Sequence, residues 1–130
     1  MPIDVVGRSA ELATIAAFCS AVDSWPAGLL LDGEAGIGKT TLWLTALQEA
    51  LTNGYHVLSA RAWQAESVLA YGAVADLLSG IDPALLSALP DVQRVAVDRV
   101  LFRGSGVGPD TDQHVVAAAL LSVIAALAAQ

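Results

Sequence analysis

The segment Gly33-Glu34-Ala35-Gly36-Ile37-Gly38-Lys39-Thr40 sets glycines, one lysine and one hydroxyl residue at a spacing suited to polyphosphate. The order is glycine, four residues, glycine, lysine, then serine or threonine, which is the pattern of a phosphate-binding loop. Glycine admits backbone conformations closed to other residues and lets the main chain approach a phosphate closely. Successive N–H groups from Gly36 to Thr41 can then cradle phosphate oxygens, helped by the dipole of a following helix. Lys39 reaches the outer phosphates as a mobile point charge. The Thr40 hydroxyl offers Mg²⁺ the hard oxygen ligand that it prefers. The expected ligand site is therefore Gly33, Glu34, Ala35, Gly36, Ile37, Gly38, Lys39, Thr40 and Thr41, taking ATP or ADP, with Thr40 on Mg²⁺. The opposing reading is a glycine-rich turn that binds nothing. That reading leaves unexplained why the only lysine of the chain sits in this tight turn.

The context expected of such a loop is a strand leading in and a helix leading out. Gly28-Leu29-Leu30-Leu31-Asp32 is a short continuous apolar run, as expected of a buried parallel strand. From Lys39 to about Asn53 the pattern is helical, with Leu44, Leu47 and Leu51 aligned and Gly54 as the stop. Tyr55 to Ala62 alternates as a second strand, completing a βαβ unit. Ahead of it, Ser9 reads as an N-cap and Glu11 suits the positive end of a helix. Leu12, Ile15, Ala16, Cys19 and Val22 follow at helical spacing, and Asp23-Ser24-Trp25-Pro26 breaks that helix. Cys19 on this stripe reads as a small buried hydrophobe.

The remainder reads as helical. Tyr71 to Ser79 carries Val74, Leu77 and Leu78, and Pro83 to Leu89 holds a short helical turn. Pro90 and Asp91 open a helix with Val92, Val95, Ala96 and Val100 on one face and Arg94 one turn from Asp98. Gly104 to Pro109 is a loop; it follows no strand, and Asp110 and Asp112 would repel phosphate. Asp110 and Gln113 resemble a capping box, ahead of a final stripe of Val116, Leu120, Val123, Ile124 and Leu127. The expected fold class is thus α/β, with a βαβ unit followed by several helices.

Composition narrows the partners. The chain has 130 residues, 55% hydrophobic and 15% charged, and a net charge of -7. This is too apolar for a disordered chain and too acidic for a large nucleic-acid surface, which needs clustered Lys and Arg. One cysteine excludes an intrachain disulfide framework. His56 and His114 are far apart, and no carboxylate is placed to build a triad with His56 and Ser59. Trp25, Trp43 and Trp63 are too scattered for base stacking. The start Met1 to Arg8 lacks a signal-peptide pattern. Val115 to Ala129 is shorter than the roughly 20 residues of a membrane span, so a cytoplasmic setting without membrane contact is expected.

Hydrolysis asks for a further carboxylate on Mg²⁺, usually at the tip of an apolar strand. Val95-Ala96-Val97-Asp98 is the one such run, and its neighbours fit a helix better. Asp32 is committed within the strand before the loop. The residues at hand therefore supply phosphate binding, with weak or no turnover.

Val5-Val6-Gly7-Arg8-Ser9-Ala10-Glu11-Leu12 resembles the motif that opens many AAA-type and STAND-type ATPase domains. Taken with Gly33 to Thr41, Trp43, Tyr71 to Leu78 and Leu89 to Arg94, the chain is similar to the N-terminal part of the ATPase domain in large LuxR-type transcriptional regulators of actinobacteria. The resemblance covers nearly the whole chain. It implies a partial P-loop NTPase three-layer fold, with residues 1–130 as the front portion of a single AAA/Orc1-like domain, ending before the acid-tipped Walker B strand, with no DNA-binding domain present. It also implies Val6, Gly7 and Arg8 as positions near the base, although Arg8 alone equally fits a solvated residue at a helix start. In the sheet order usual for this class, the two expected strands are not neighbours. Their uncovered apolar surface then favours self-association. Two other readings stay open: a non-binding interaction module, and a small P-loop kinase with Arg94, Arg99 and Arg103 as a lid.

Overall fold

A computed structural model describes residues 7–21, 27–62, 71–102 and 111–130. Its elements are α1 (Ser9–Ala21), α2 (Lys39–Thr52), α3 (Gly72–Ser79), α4 (Pro83–Ser87), α5 (Asp91–Phe102) and α6 (Gln113–Ala128). The chain divides into two compact units, Met1–Val57 and Leu58–Gln130.

In the first unit α1 packs on α2. Ile15 and Cys19, one turn apart, meet Leu42 of α2, and Ala46 and Ala50 continue the contact along that helix. The contact face of α2 is therefore the 42-46-50 row, at the i, i+4 spacing of one helix side. The expected row of Leu44, Leu47 and Leu51 is not the buried one: Leu51 is 54% exposed, whereas Leu42 is 4% exposed. Ala46 and Ala50 of that row pack against the cluster, a contact that the larger leucines of the other row had concealed. Helix α1 starts one residue earlier than a Ser9 cap requires. The Leu12 N–H bonds the Arg8 carbonyl at 3.0 Å, so Arg8 holds the cap position and Ser9 is the first helical residue. The expected stop of α2 holds. Gly54, at φ 85°, sends its N–H to Leu51 and Tyr55 sends its own to Ala50, both at 3.0 Å, closing a Schellman motif.

The α/β expectation is overturned. Among the described residues there are helices and no strand, and neither apolar run pairs in a ladder. A strand needs hydrogen-bonding partners as well as apolar side chains, and here helices take the apolar contacts instead. Leu31 packs against the Ile15, Cys19 and Leu42 cluster, while Leu30 is 86% exposed. Leu58, in the second expected strand, packs on the other core. Nearby, the Arg61 N–H goes to the Asp76 carboxylate of α3 at 3.2 Å rather than to a neighbouring strand. The three-layer sheet and the βαβ unit are thus replaced by helix packing with irregular connecting segments.

In the second unit α5 packs on α6 and α3, and α4 touches both α5 and α6. Leu78, Ile81, Leu89, Val97, Ala119 and Val123 form its core. On α5 the buried residues are Ala96 and Val97, whereas Val92 and Val95 of the expected face are exposed. Val95 to Asp98 lies within α5, as its helical neighbours indicate. Arg94 pairs with Asp91 at 2.8 Å rather than with Asp98. The cap of α6 is Asp112, which accepts the His114 N–H at 2.8 Å; Asp110 of the expected capping box lies outside the described residues. Asp82 caps α4 in the same way, accepting from Ala84 at 2.8 Å ahead of Pro83. Tyr71 precedes α3 at φ 67°, an uncommon conformation for a bulky residue. Its hydroxyl donates to the Thr111 carbonyl at 3.0 Å, tying the start of α3 to the lead-in of α6. The expected breaks at Asp23 to Pro26 and Gly104 to Pro109 lie outside the described residues. No helix among the described residues is long and apolar enough to cross a membrane.

Candidate nucleotide site

The Gly33–Thr41 segment lies entirely in the first unit and runs into the first turn of α2. Gly38 occupies the N-cap position at φ 98°, and Gly36 lies at φ 80°. Both are left-handed conformations that cost an ordinary side chain about 1–2 kcal/mol, so the glycines at these positions are required by the path of the chain. Between them the Ile37 N–H turns back to the Glu34 carbonyl at 3.4 Å, and the Leu42 N–H begins the helix on Gly38 at 3.2 Å.

Lys39 folds over its own loop. Its Nζ donates to the Glu34 carbonyl at 2.6 Å and to the Gly33 carbonyl beside it. Both acceptors are neutral, so the ammonium charge is not cancelled by them. Thr40 is exposed on the first turn of α2, with its hydroxyl available for a hard cation, and Thr41 is half-buried behind it. Ala35, Gly36 and Ile37 are exposed at the tip.

Arg8 comes to the loop from the start of α1. Its guanidinium donates to the Ile37 carbonyl, and Glu11, one turn along, lies 3.7 Å from it. Gly7 is exposed at φ 81°; Val6 lies outside the described residues. Of the expected site, the structure thus brings Arg8 to the Gly33–Thr41 loop.

A cavity of about 350 Å³ opens between α1, residues 29–32 and the loop. Arg8, Glu11, Thr14, Ile15, Leu29, Leu30, Asp32, Ile37 and Lys39 are among the residues that line it. That size falls within the range of small-molecule sites. Asp32, expected to be locked in a strand, is instead exposed and lines this cavity. Glu11 and Thr14 were not singled out as site residues by the sequence. Their i, i+3 placement on α1, one turn apart and following Arg8, was the signal that could have found them.

The fit to a polyphosphate rests on the left-handed glycines, the lysine turned over the loop and the helix start at Lys39. For Mg²⁺ the donor present is the Thr40 hydroxyl, suited to a cation that keeps several waters.

The family model described as an AAA ATPase domain matches residues 4–130, and the chain belongs to that family. Family membership implies nucleotide use, usually with Mg²⁺. No curated protein and no solved structure matches the chain.

Proposed function

We propose that the Gly33–Thr41 loop binds the phosphates of ATP or ADP, with Lys39 on the outer phosphates and Thr40 on Mg²⁺. Val6, Gly7 and Arg8 are the positions near the base. The observation that carries this reading is the Lys39 ammonium, poised over the loop at the start of α2 on neutral acceptors. A bound phosphate can draw the ammonium off them at little cost. Binding, not turnover, is the activity assigned to these residues. The wider role is that of the nucleotide-binding part of a signal-responsive LuxR-type transcriptional regulator, in which residues 1–130 are the front portion of one ATPase domain. That role rests on the resemblance of Val5 to Leu12, Tyr71 to Leu78 and Leu89 to Arg94.

The test is calorimetric titration of ATP and ADP, with and without Mg²⁺, into the wild type, Lys39→Ala and Thr40→Val. Mg²⁺-dependent binding by the wild type, lost in Lys39→Ala and stripped of its Mg²⁺ dependence in Thr40→Val, supports the reading. A folded wild type that binds neither nucleotide overturns it in favour of a non-binding module. Phosphate transfer to a small acceptor would instead favour a kinase. A downstream reading frame encoding a helix-turn-helix supports the regulator role, and one without it counts against that role.

A further inference from the structure

Arg8 is anchored at both ends. Its backbone carbonyl accepts the Leu12 N–H at 3.0 Å and so opens α1, which is packed on α2 through Ile15, Cys19 and Leu42. Its guanidinium crosses to the loop that opens α2, where it donates to the Ile37 carbonyl. The same group lies flat against Gly38: a Cβ there would stand 3.7 Å from Nη2, 3.9 Å from Cζ and 4.0 Å from Nε. Nη1 faces Glu11 at 3.7 Å, bracing the fork from its own helix.

The Ile37–Gly38 peptide is trans, so its C=O and N–H point in opposite directions. Holding the Ile37 oxygen on the Arg8 side turns the Gly38 N–H away from Arg8. Gly38, lacking a Cβ, imposes little preference of its own on that peptide plane, so an outside hydrogen bond helps to select one orientation. A planar, permanently charged guanidinium with several donors is well suited to do so. We propose that Arg8 is a positioning residue of the phosphate loop: it holds the Ile37 carbonyl so that the Gly38 amide faces the bound phosphates. This rests on the nucleotide reading of the Gly33–Thr41 loop. It also assigns the Arg8 guanidinium to the loop rather than to the base.

The experiment compares ATP with base-free inorganic tripolyphosphate, each with Mg²⁺, by calorimetry on the wild type, Arg8→Ala and Arg8→Lys. The amide resonance of Gly38 is followed in the ligand-free proteins. Loss of one hydrogen bond from a charged donor weakens binding about tenfold, and the proposal expects Arg8→Ala to weaken both ligands by the same factor. It also expects the Gly38 resonance to move and broaden before any ligand is added. Arg8→Lys, which keeps a donor within reach, should recover part of both effects. Weakened ATP with unchanged tripolyphosphate would place Arg8 on the base and overturn the proposal. An unaltered Gly38 resonance in ligand-free Arg8→Ala would overturn it as well, since the loop would then not depend on Arg8. If the folded wild type binds neither ligand, the nucleotide reading falls and this inference falls with it.

Discussion

The Lys39 ammonium lies 2.6 Å from the Glu34 carbonyl oxygen, so a side chain at the start of α2 closes the loop that precedes it. The contact is exposed and made to neutral backbone, which makes it easy to exchange for an anion. Lys39→Ala should therefore cost at least about tenfold in nucleotide affinity, as for loss of a charged hydrogen bond. It should change the unfolding free energy by only about 0.5 kcal/mol, as for an ordinary surface substitution. Lys39→Arg should not restore binding, because a planar fork does not replace a compact ammonium over a tight loop. Calorimetry with parallel urea unfolding of the three proteins reads out both effects.

Gly36→Ala and Gly38→Ala should each lower stability by about 1–2 kcal/mol. The two have similar positive φ values but different surroundings. A Cβ at Gly36 meets nothing within 4 Å, and at Gly38 it meets Arg8 at ordinary contact distances. Equal costs would mean that backbone strain sets both. Gly28→Ala, with open space and no positive φ, should be neutral or stabilising by about 0.4–1 kcal/mol. Urea midpoints decide among these.

Leu42→Ala should remove about 2–5 kcal/mol, the range for a buried leucine in a packed site. Leu51→Ala, on the face that the leucine pattern favoured, should cost less than about 1 kcal/mol, because it is more than half exposed already. A larger loss at Leu51 than at Leu42 would show that α2 presents the other face to α1.

Burial pushes the Cys19 thiol above its ordinary range, and the nearby Glu49 charge adds to the shift. The sign of the stability effect follows. Below the ordinary thiol value, about 8.5, folded and unfolded chains both hold the proton and the contribution is constant. Above it the unfolded chain releases the proton while the folded one keeps it, so stability falls until the pH passes the folded value. Thermal melts from pH 7 to 10 should decline more steeply for the wild type than for Cys19→Ala, even though the variant begins less stable. Equal slopes would remove Cys19 from the alkaline response.

How much could be read from the chain alone differs by kind of feature. The helices and their ends were largely legible. The Gly54 stop, the Pro83 start and the helical character of Val95 to Asp98 depend on nearest neighbours along the chain. So does the loop: glycine at 36 and 38 and lysine at 39 stand where the turn and the helix start need them. The cap of α6 was misplaced, because Asp110 and Asp112 offer the same chemistry two residues apart. Only the bond from His114 to Asp112 distinguishes them. Arg94 has Asp91 and Asp98 each about one turn away, and only the structure shows that it pairs with Asp91.

What the sequence by itself determined is therefore local: where α1 to α6 form, and a loop whose residue types suit a polyphosphate. Tertiary structure decided what each apolar surface meets. Leu29 to Leu31 and Tyr55 to Ala62 carry the side chains of strands, but pairing is a property of two segments and cannot be read from one. In this structure Leu31 and Leu58 find helices instead, and the Arg61 N–H finds the Asp76 carboxylate. The bridge from Arg8 to Ile37 was likewise invisible along the chain. The two residues are 29 positions apart, and only the packing of α1 on α2 brings a guanidinium to the carbonyl at the mouth of the loop.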